Sequence, residues 1–152
     1  MFIFASAMGT LKKYADFKTR ASRGEFWCFF FFVLIAQALA RIVDMILGSG
    51  GYLPGPVSSI VGLLLIVPQV AVAVRRLHDL GKSGKELVLP GVMLFLAPVV
   101  FSLQGFLPKL VALGYAGILL LIFANLLVLL LKKGKSIPNK YGASPEAFSF
   151  AN

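Results

Sequence analysis

Four apolar stretches, at about 26–47, 57–74, 87–107 and 110–131, constrain this chain more than any motif in it. A helix needs about 20 residues to cross a hydrocarbon core about 30 Å thick, and inside that core every backbone group must find its partner within the protein. The chain has 152 residues, of which 59% are apolar and 14% charged, and nearly all of the charge lies between the stretches. Such a composition excludes an ordinary soluble domain, a disordered chain and a collagen. The single cysteine, Cys28, excludes a disulfide framework or a cysteine metal site within one chain. The expectation is one all-α domain over residues 1–152, a polytopic membrane bundle of four transmembrane helices. An arm over 1–25 precedes the bundle and a tail over 132–152 follows it. Pro108 and Lys109 fall in the middle of the last apolar region and divide it into two spans.

Local signals agree with these limits. Ser22 and Glu25 have the spacing of a capping box, which starts the first long helix at about Ala21. Gly48 and the run Ser49-Gly50-Gly51 stop that helix, and Pro54 and Pro56 suit the entrance of the next. Gly81 and Gly134 stand where helix C-caps belong. Pro68 and Pro98 fall inside spans, where each removes a backbone hydrogen bond and requires a neighbour for the freed carbonyl. The first ten residues are apolar but have no basic stretch ahead of them, so they read as an interfacial segment with Phe2 and Phe4 at headgroup level, not as a cleaved signal peptide.

Orientation follows from the basic residues. Five lie in 1–25, none in 48–56, four in 75–86, one in 108–109 and four in the tail. That puts thirteen on one side and one on the other, and the positive-inside rule makes both termini and the 75–86 loop cytoplasmic. The formal charge of +9 is thereby explained without nucleic acid. A basic face of this kind meets the anionic lipid of the cytoplasmic leaflet first.

The densest polar cluster is Arg75-Arg76-Leu77-His78-Asp79, followed by Gly81, Ser83 and Gly84. On a helix Asp79 lies one turn from both arginines, so ion pairs are available. Arginines at a membrane edge also set topology and snorkel to headgroups, while their planar fork suits a lipid phosphate or a small anion. Within the first span stand Gln37, Arg41 and Asp44. Arg41 and Asp44 share a face and either neutralise each other or belong to a polar path reached from outside. Gln69, Gln104 and Asn125 in other spans add to such a path or act as interhelical glue.

Three blocks of the sequence resemble the bacterial inner-membrane family of domain of unknown function 805, small YhaH-like proteins. The first runs from Tyr14 to Trp27 through Arg20-Ala21-Ser22-Arg23-Gly24-Glu25-Phe26, the second is Arg75 to Gly84, and the third is Pro138-Asn139-Lys140-Tyr141-Gly142 with Pro145. Thr19 replaces the family's usual glycine, and Lys85 stands where a tryptophan is common. The resemblance implies a four-helix domain of the bacterial inner membrane and carries no established activity.

All three blocks fall on the face expected to be cytoplasmic. Arg20, Arg23, Glu25, Arg75, Arg76, His78, Asp79, Asn139 and Tyr141 are therefore expected to converge at one membrane–water boundary, as an anion site or as a lock joining arm, helix end and tail. One histidine and no metal-binding, phosphate-loop or nucleophile motif argue against an enzyme, and no cofactor is expected. Two classes remain. One is an interaction or scaffold module whose basic face binds anionic lipid or a partner protein, and the other is a subunit of a small oligomeric transporter or channel. Ala36 with Ala40, and Ala112 with Ala116, permit close helix packing within one chain or between copies in a homo-oligomer.

Overall fold

The structure is a computed structural model that describes residues 2–49, 51, 54–102 and 109–145. These form α1 (Phe2–Lys12), α2 (Arg23–Ile46), α3 (Pro56–Asp79), a 3-10 turn (Gly84–Leu87), α4 (Val88–Ser102) and α5 (Lys109–Leu131). Among the described residues there is no β-strand, only an isolated bridge between Asn139 and Gly142. Helices α2, α3 and α5, of 24, 24 and 23 residues, are long and apolar enough to cross a membrane. Helix α4 has 15 residues, and the rest of the third predicted span, with Gln104 and Pro108, lies outside the described residues.

The burial pattern is inverted relative to a soluble protein. Arg75 and Arg76 are fully buried, whereas Phe95 is 81% exposed and Leu63 71%. Large apolar side chains gain nothing by facing water, so this outward-facing surface is matched to lipid. The apolar core lies at the end of the bundle where α2 begins and α3 ends, built from Phe26, Phe29, Val72, Leu77, Leu129 and Leu130 with Ala7 of α1.

Helix ends follow local chemistry with two corrections. Ser22 Oγ accepts the Glu25 N–H at 3.1 Å, which caps α2 as expected. The return half of the box is absent, because the Glu25 carboxylate is directed to Arg75 instead. Gly48 and Gly81 follow the ends of α2 and α3 with φ of +75° and +77°, conformations that favour glycine. Gly134 is not a cap: α5 ends at Leu131, and a Cβ at 134 would lie 1.7 Å from Asp79 Oδ2. It is glycine because the tail passes directly over that carboxylate.

Pro68 lies inside α3 and leaves the Leu64 carbonyl without its usual amide donor. The Tyr14 hydroxyl, from the loop after α1, donates to that carbonyl at 2.6 Å. Helix α1 itself rests on α2 and also touches α3, and its Ser6, Ala7 and Thr10 are buried. The side chains of Phe2 and Phe4, expected at headgroup level, lie outside the described residues.

Candidate functional site

Helix α3 continues five residues past the apolar span predicted for it, and this carries the Arg-Arg-Leu-His-Asp block into the bundle end. Arg20, from the loop before α2, is 5% exposed and is drawn to Asp79. Its Nε and Nη2 reach Asp79 Oδ1 at 3.1 and 2.8 Å, a bidentate approach to one oxygen. Arg76 Nη1 pairs with Asp79 Oδ2, so one carboxylate bridges two buried guanidiniums.

The remaining donors of both arginines go to backbone carbonyls at the end of α5 and in the tail. Arg20 Nη1 donates to Ile137 at 3.1 Å and Gly142 at 3.2 Å, and its Nη2 to Lys135. Arg76 donates through Nε to Leu130 at 3.2 Å and through Nη2 to Lys132. Carbonyls left over at a helix C-terminus need such partners. The Lys135 N–H in turn donates to the Asp79 carbonyl at 3.2 Å.

Six further contacts fasten the face. Arg75 Nη1 donates to Glu25 Oε1 at 2.6 Å, and the Ala21 N–H donates to the Arg75 carbonyl at 3.1 Å. The His78 ring stacks on Tyr141 with centroids 3.6 Å apart and planes 2° from parallel. His78 Nδ1 lies 3.3 Å from the Thr19 carbonyl, which requires the proton on Nδ1. Asn139 Nδ2 donates to the His78 carbonyl at 2.8 Å, and Tyr141 N–H to Asn139 Oδ1 at 2.9 Å. Eight of the nine residues expected to converge therefore meet on one face, where Arg20, Arg75, Arg76, His78 and Asp79 are buried and Glu25, Asn139 and Tyr141 half-buried. Arg23 is exposed and stands beside it.

Outside the spans, Asp16 holds the loop between α1 and α2. Burial raises its pKa, but hydrogen bonds from the Thr19 hydroxyl and from the Lys18 and Thr19 N–H groups, with the charge of Arg75, outweigh this and hold its carboxyl below the usual range.

The polar residues inside the first span have other uses. Asp44 is fully buried, and its two oxygens accept the Val57 and Ser58 N–H groups at 2.9 Å each, capping the start of α3 from another helix. Gly55 leaves room for it, since a Cβ there would sit 2.4 Å from the carboxylate carbon. Arg41 Nη2 donates to the Gly51 carbonyl at 2.6 Å. The Gln37 amide, with its nitrogen toward the Ser58 carbonyl (3.3 Å) and its oxygen toward the Gly62 N–H (3.1 Å), ties α2 to α3.

Two cavities open on the bundle. One, of about 550 Å³, lies between the 3-10 turn, α4 and α5, and includes Lys85, Glu86 and Asn125. The other, of about 650 Å³, adjoins the buried network and is formed by the start of α2, the end of α3 and the tail. Its polar lining is Ser22, Arg23, Arg76, Asp79, Lys133, Lys135, Ser136 and Ser144, and its apolar lining includes Trp27, Cys28, Phe31 and Leu131. Arg23 and Phe31 are two helical turns apart, so the cleft extends about 12 Å along α2 from cation to ring. The sequence reading missed this cleft, because Lys133 and Lys135 were assigned to topology alone. It also missed Tyr14, Thr10 and Gly134, which act through partners distant in sequence.

Residues 14–143 match the family model described as "Protein of unknown function (DUF805)". The chain is 32% identical over 140 residues to the Inner membrane protein YhaI of Escherichia coli (strain K12), covering 91% of this chain and 93% of that one. It is 36% identical over 93 residues to the Inner membrane protein YhaH of the same strain, covering 59% of this chain and 71% of that one. No solved structure matches it.

Proposed function

The chain belongs to the DUF805 family of inner-membrane proteins, and on that premise we propose that it is a membrane interaction module that holds an anionic phospholipid in the cleft beside its buried arginine lock. Four helices cross the bilayer in this reading, with both termini on the cytoplasmic side; the basic asymmetry of the loops supports that orientation. The module binds and does not catalyse.

The single observation that carries the proposal is the make-up of the cleft. The lining combines the cations Arg23, Lys133 and Lys135 with the rings of Trp27 and Phe31, and Arg23 and Phe31 lie two turns of α2 apart, which suits an anionic headgroup joined to an acyl chain. Arg76 borders the cleft but is not the headgroup contact in this reading, because its donors go to Asp79 and to the Leu130 and Lys132 carbonyls. Its role is to hold the cleft walls together. A transport path would draw on Gln37 and Asp44, and both are engaged in helix contacts.

The test is competitive lipid retention. Protein purified in mild detergent is mixed with equal phosphatidylglycerol and phosphatidylcholine and weighed by native mass spectrometry. The parent should retain phosphatidylglycerol in preference, and Arg23→Gln with Lys133→Gln should lower that preference about thirtyfold, since exposed cations near the surface contribute about 1 kcal/mol each. Equal retention of both lipids by the parent would remove the proposal.

A further inference from the structure

The buried layer at the start of α2 holds three arginines, with the half-buried Asp16 beside it feeling the charge of Arg75. Arg20, Arg75 and Arg76 are 5%, 0% and 0% exposed, and the carboxylates paired with them are Asp79 and Glu25. Arg20 and Arg76 show what satisfaction looks like here, for each has an acceptor at Nε, Nη1 and Nη2. Arg75 is the exception: Nη1 reaches Glu25, while Nε and Nη2 are buried and meet no acceptor among the described residues. Buried donors in native proteins are almost always paired, and a guanidinium with idle N–H groups on one edge has the fork that an oxyanion fits.

A second unsatisfied group lies in the same layer. Ser6 Oγ of α1 is buried and has no partner among the described residues. It is linked to Arg75 through Thr10, whose single hydroxyl proton is shared between the Ser6 carbonyl at 3.2 Å and Glu25 Oε1 at 3.4 Å. The buried face of α1, Ser6, Ala7 and Thr10, thus lies over the Glu25–Arg75 pair, and its polar contact there is a long one.

We infer that Arg75 anchors an anion site of its own, covered by α1, whose ligand is a singly charged phosphate oxyanion. With α1 in place the two idle donors are shut off from any ligand. When α1 shifts, the oxyanion accepts from Nε and Nη2 and takes the Ser6 hydroxyl as a further donor. A phosphodiester headgroup and a small free phosphate share this chemistry. The site uses none of the cations of the cleft, so it stands or falls apart from the lipid proposal.

The experiment follows the thermal midpoint of the detergent-purified chain by Trp27 fluorescence at constant ionic strength, with sodium chloride as reference. The probes are dimethyl phosphate and dihexanoylphosphatidylglycerol. The parent should gain several degrees over chloride, about what a site occupied well above its dissociation constant supplies. Glu25→Gln removes the competing carboxylate, so it should be less stable in chloride and be rescued by the probes at a concentration about tenfold lower than the parent needs. Arg75→Lys keeps the charge but loses the fork, and should raise that concentration about tenfold. Arg23→Gln should leave the response intact, which separates this site from the cleft. A response to the lipid alone assigns a headgroup, and an equal response to dimethyl phosphate assigns a soluble ligand. A parent midpoint that follows ionic strength alone would overturn the inference. So would a Glu25→Gln variant no more responsive than the parent, or an Arg75→Lys variant that responds as the parent does. If Arg75→Lys does not fold, the parent and Glu25→Gln decide.

Discussion

The Tyr14 hydroxyl donates at 2.6 Å to the Leu64 carbonyl, the group that Pro68 leaves without an amide one turn further along α3. A loop residue thus repairs a defect in a membrane-spanning helix 50 positions away. Tyr14→Phe should cost about 1–3 kcal/mol by leaving that carbonyl unmet. In a Pro68→Ala background the same change should cost much less, because residue 68 then supplies the donor. The measurement is a double-mutant cycle on thermal midpoints; additive losses would mean that Tyr14 acts elsewhere.

Asp79 bridges Arg20 and Arg76 in a site where all three are buried. Asp79→Ala should destabilise the protein by about 3–5 kcal/mol, since it leaves two desolvated cations facing each other. The Lys82–Glu86 pair, at 43% and 47% exposure, is the internal control, and Glu86→Ala should cost no more than about 1 kcal/mol. Yield and melting in one detergent compare the two variants. Equal losses would show that the Asp79 network is solvated.

Gly134→Ala should behave as a member of that network. Its Cβ would lie 1.7 Å from Asp79 Oδ2, so the tail must lift, while Gly117→Ala in α5 meets nothing within 4 Å. Limited proteolysis should cleave the tail of Gly134→Ala faster and leave Gly117→Ala as the parent.

The Asp16 carboxyl titrates below the usual range because its hydrogen bonds and Arg75 outweigh its burial. A depressed folded-state pKa contributes stability that is present above the unfolded value of about 3.9 and is lost as pH falls through the folded value. Asp16→Asn should therefore be less stable than the parent at neutral pH, with the difference shrinking as pH falls below about 4. Melting curves across that range give the comparison. A gap that stays constant would mean that the loss is steric.

A cysteine placed at Lys82 in a Cys28→Ser background should react with an impermeant maleimide only after the membrane is opened, and one placed at Ser49 should react in intact cells. This follows from thirteen basic residues on one side against one on the other. Labelling of position 82 from outside would invert the topology.

Three long spans and the meeting of the motif blocks were legible because bilayer thickness fixes span length, which is a local count. Partners were less legible. Ser22 and Glu25 satisfied a local pattern, yet an arginine 50 residues away took the Glu25 carboxylate, since a buried guanidinium gains more from it than an exposed amide does. Asp44 pointed to Arg41 by spacing, but the turn after α2 folds the start of α3 back onto it, and two backbone N–H groups receive both oxygens. Gly134 looked like a cap because it follows lysines at a helix end. Only the path of the tail over Asp79 reveals its use.

The acceptors that seal Arg20 and Arg76 are carbonyls of residues 130–142, at the end of α5 and beyond. Those residues leave the ribosome after α3 has been made, so during insertion neither guanidinium has its backbone partners. In that interval Asp79 is the partner the two arginines share, and under the proposed orientation they also serve as topology signals. Once residues 130–142 have been synthesised, the same side chains are withdrawn from lipid and become the latch of the folded face. The order of translation thus gives each arginine two successive tasks, and a truncation before Lys135 should leave a chain that inserts correctly and never closes.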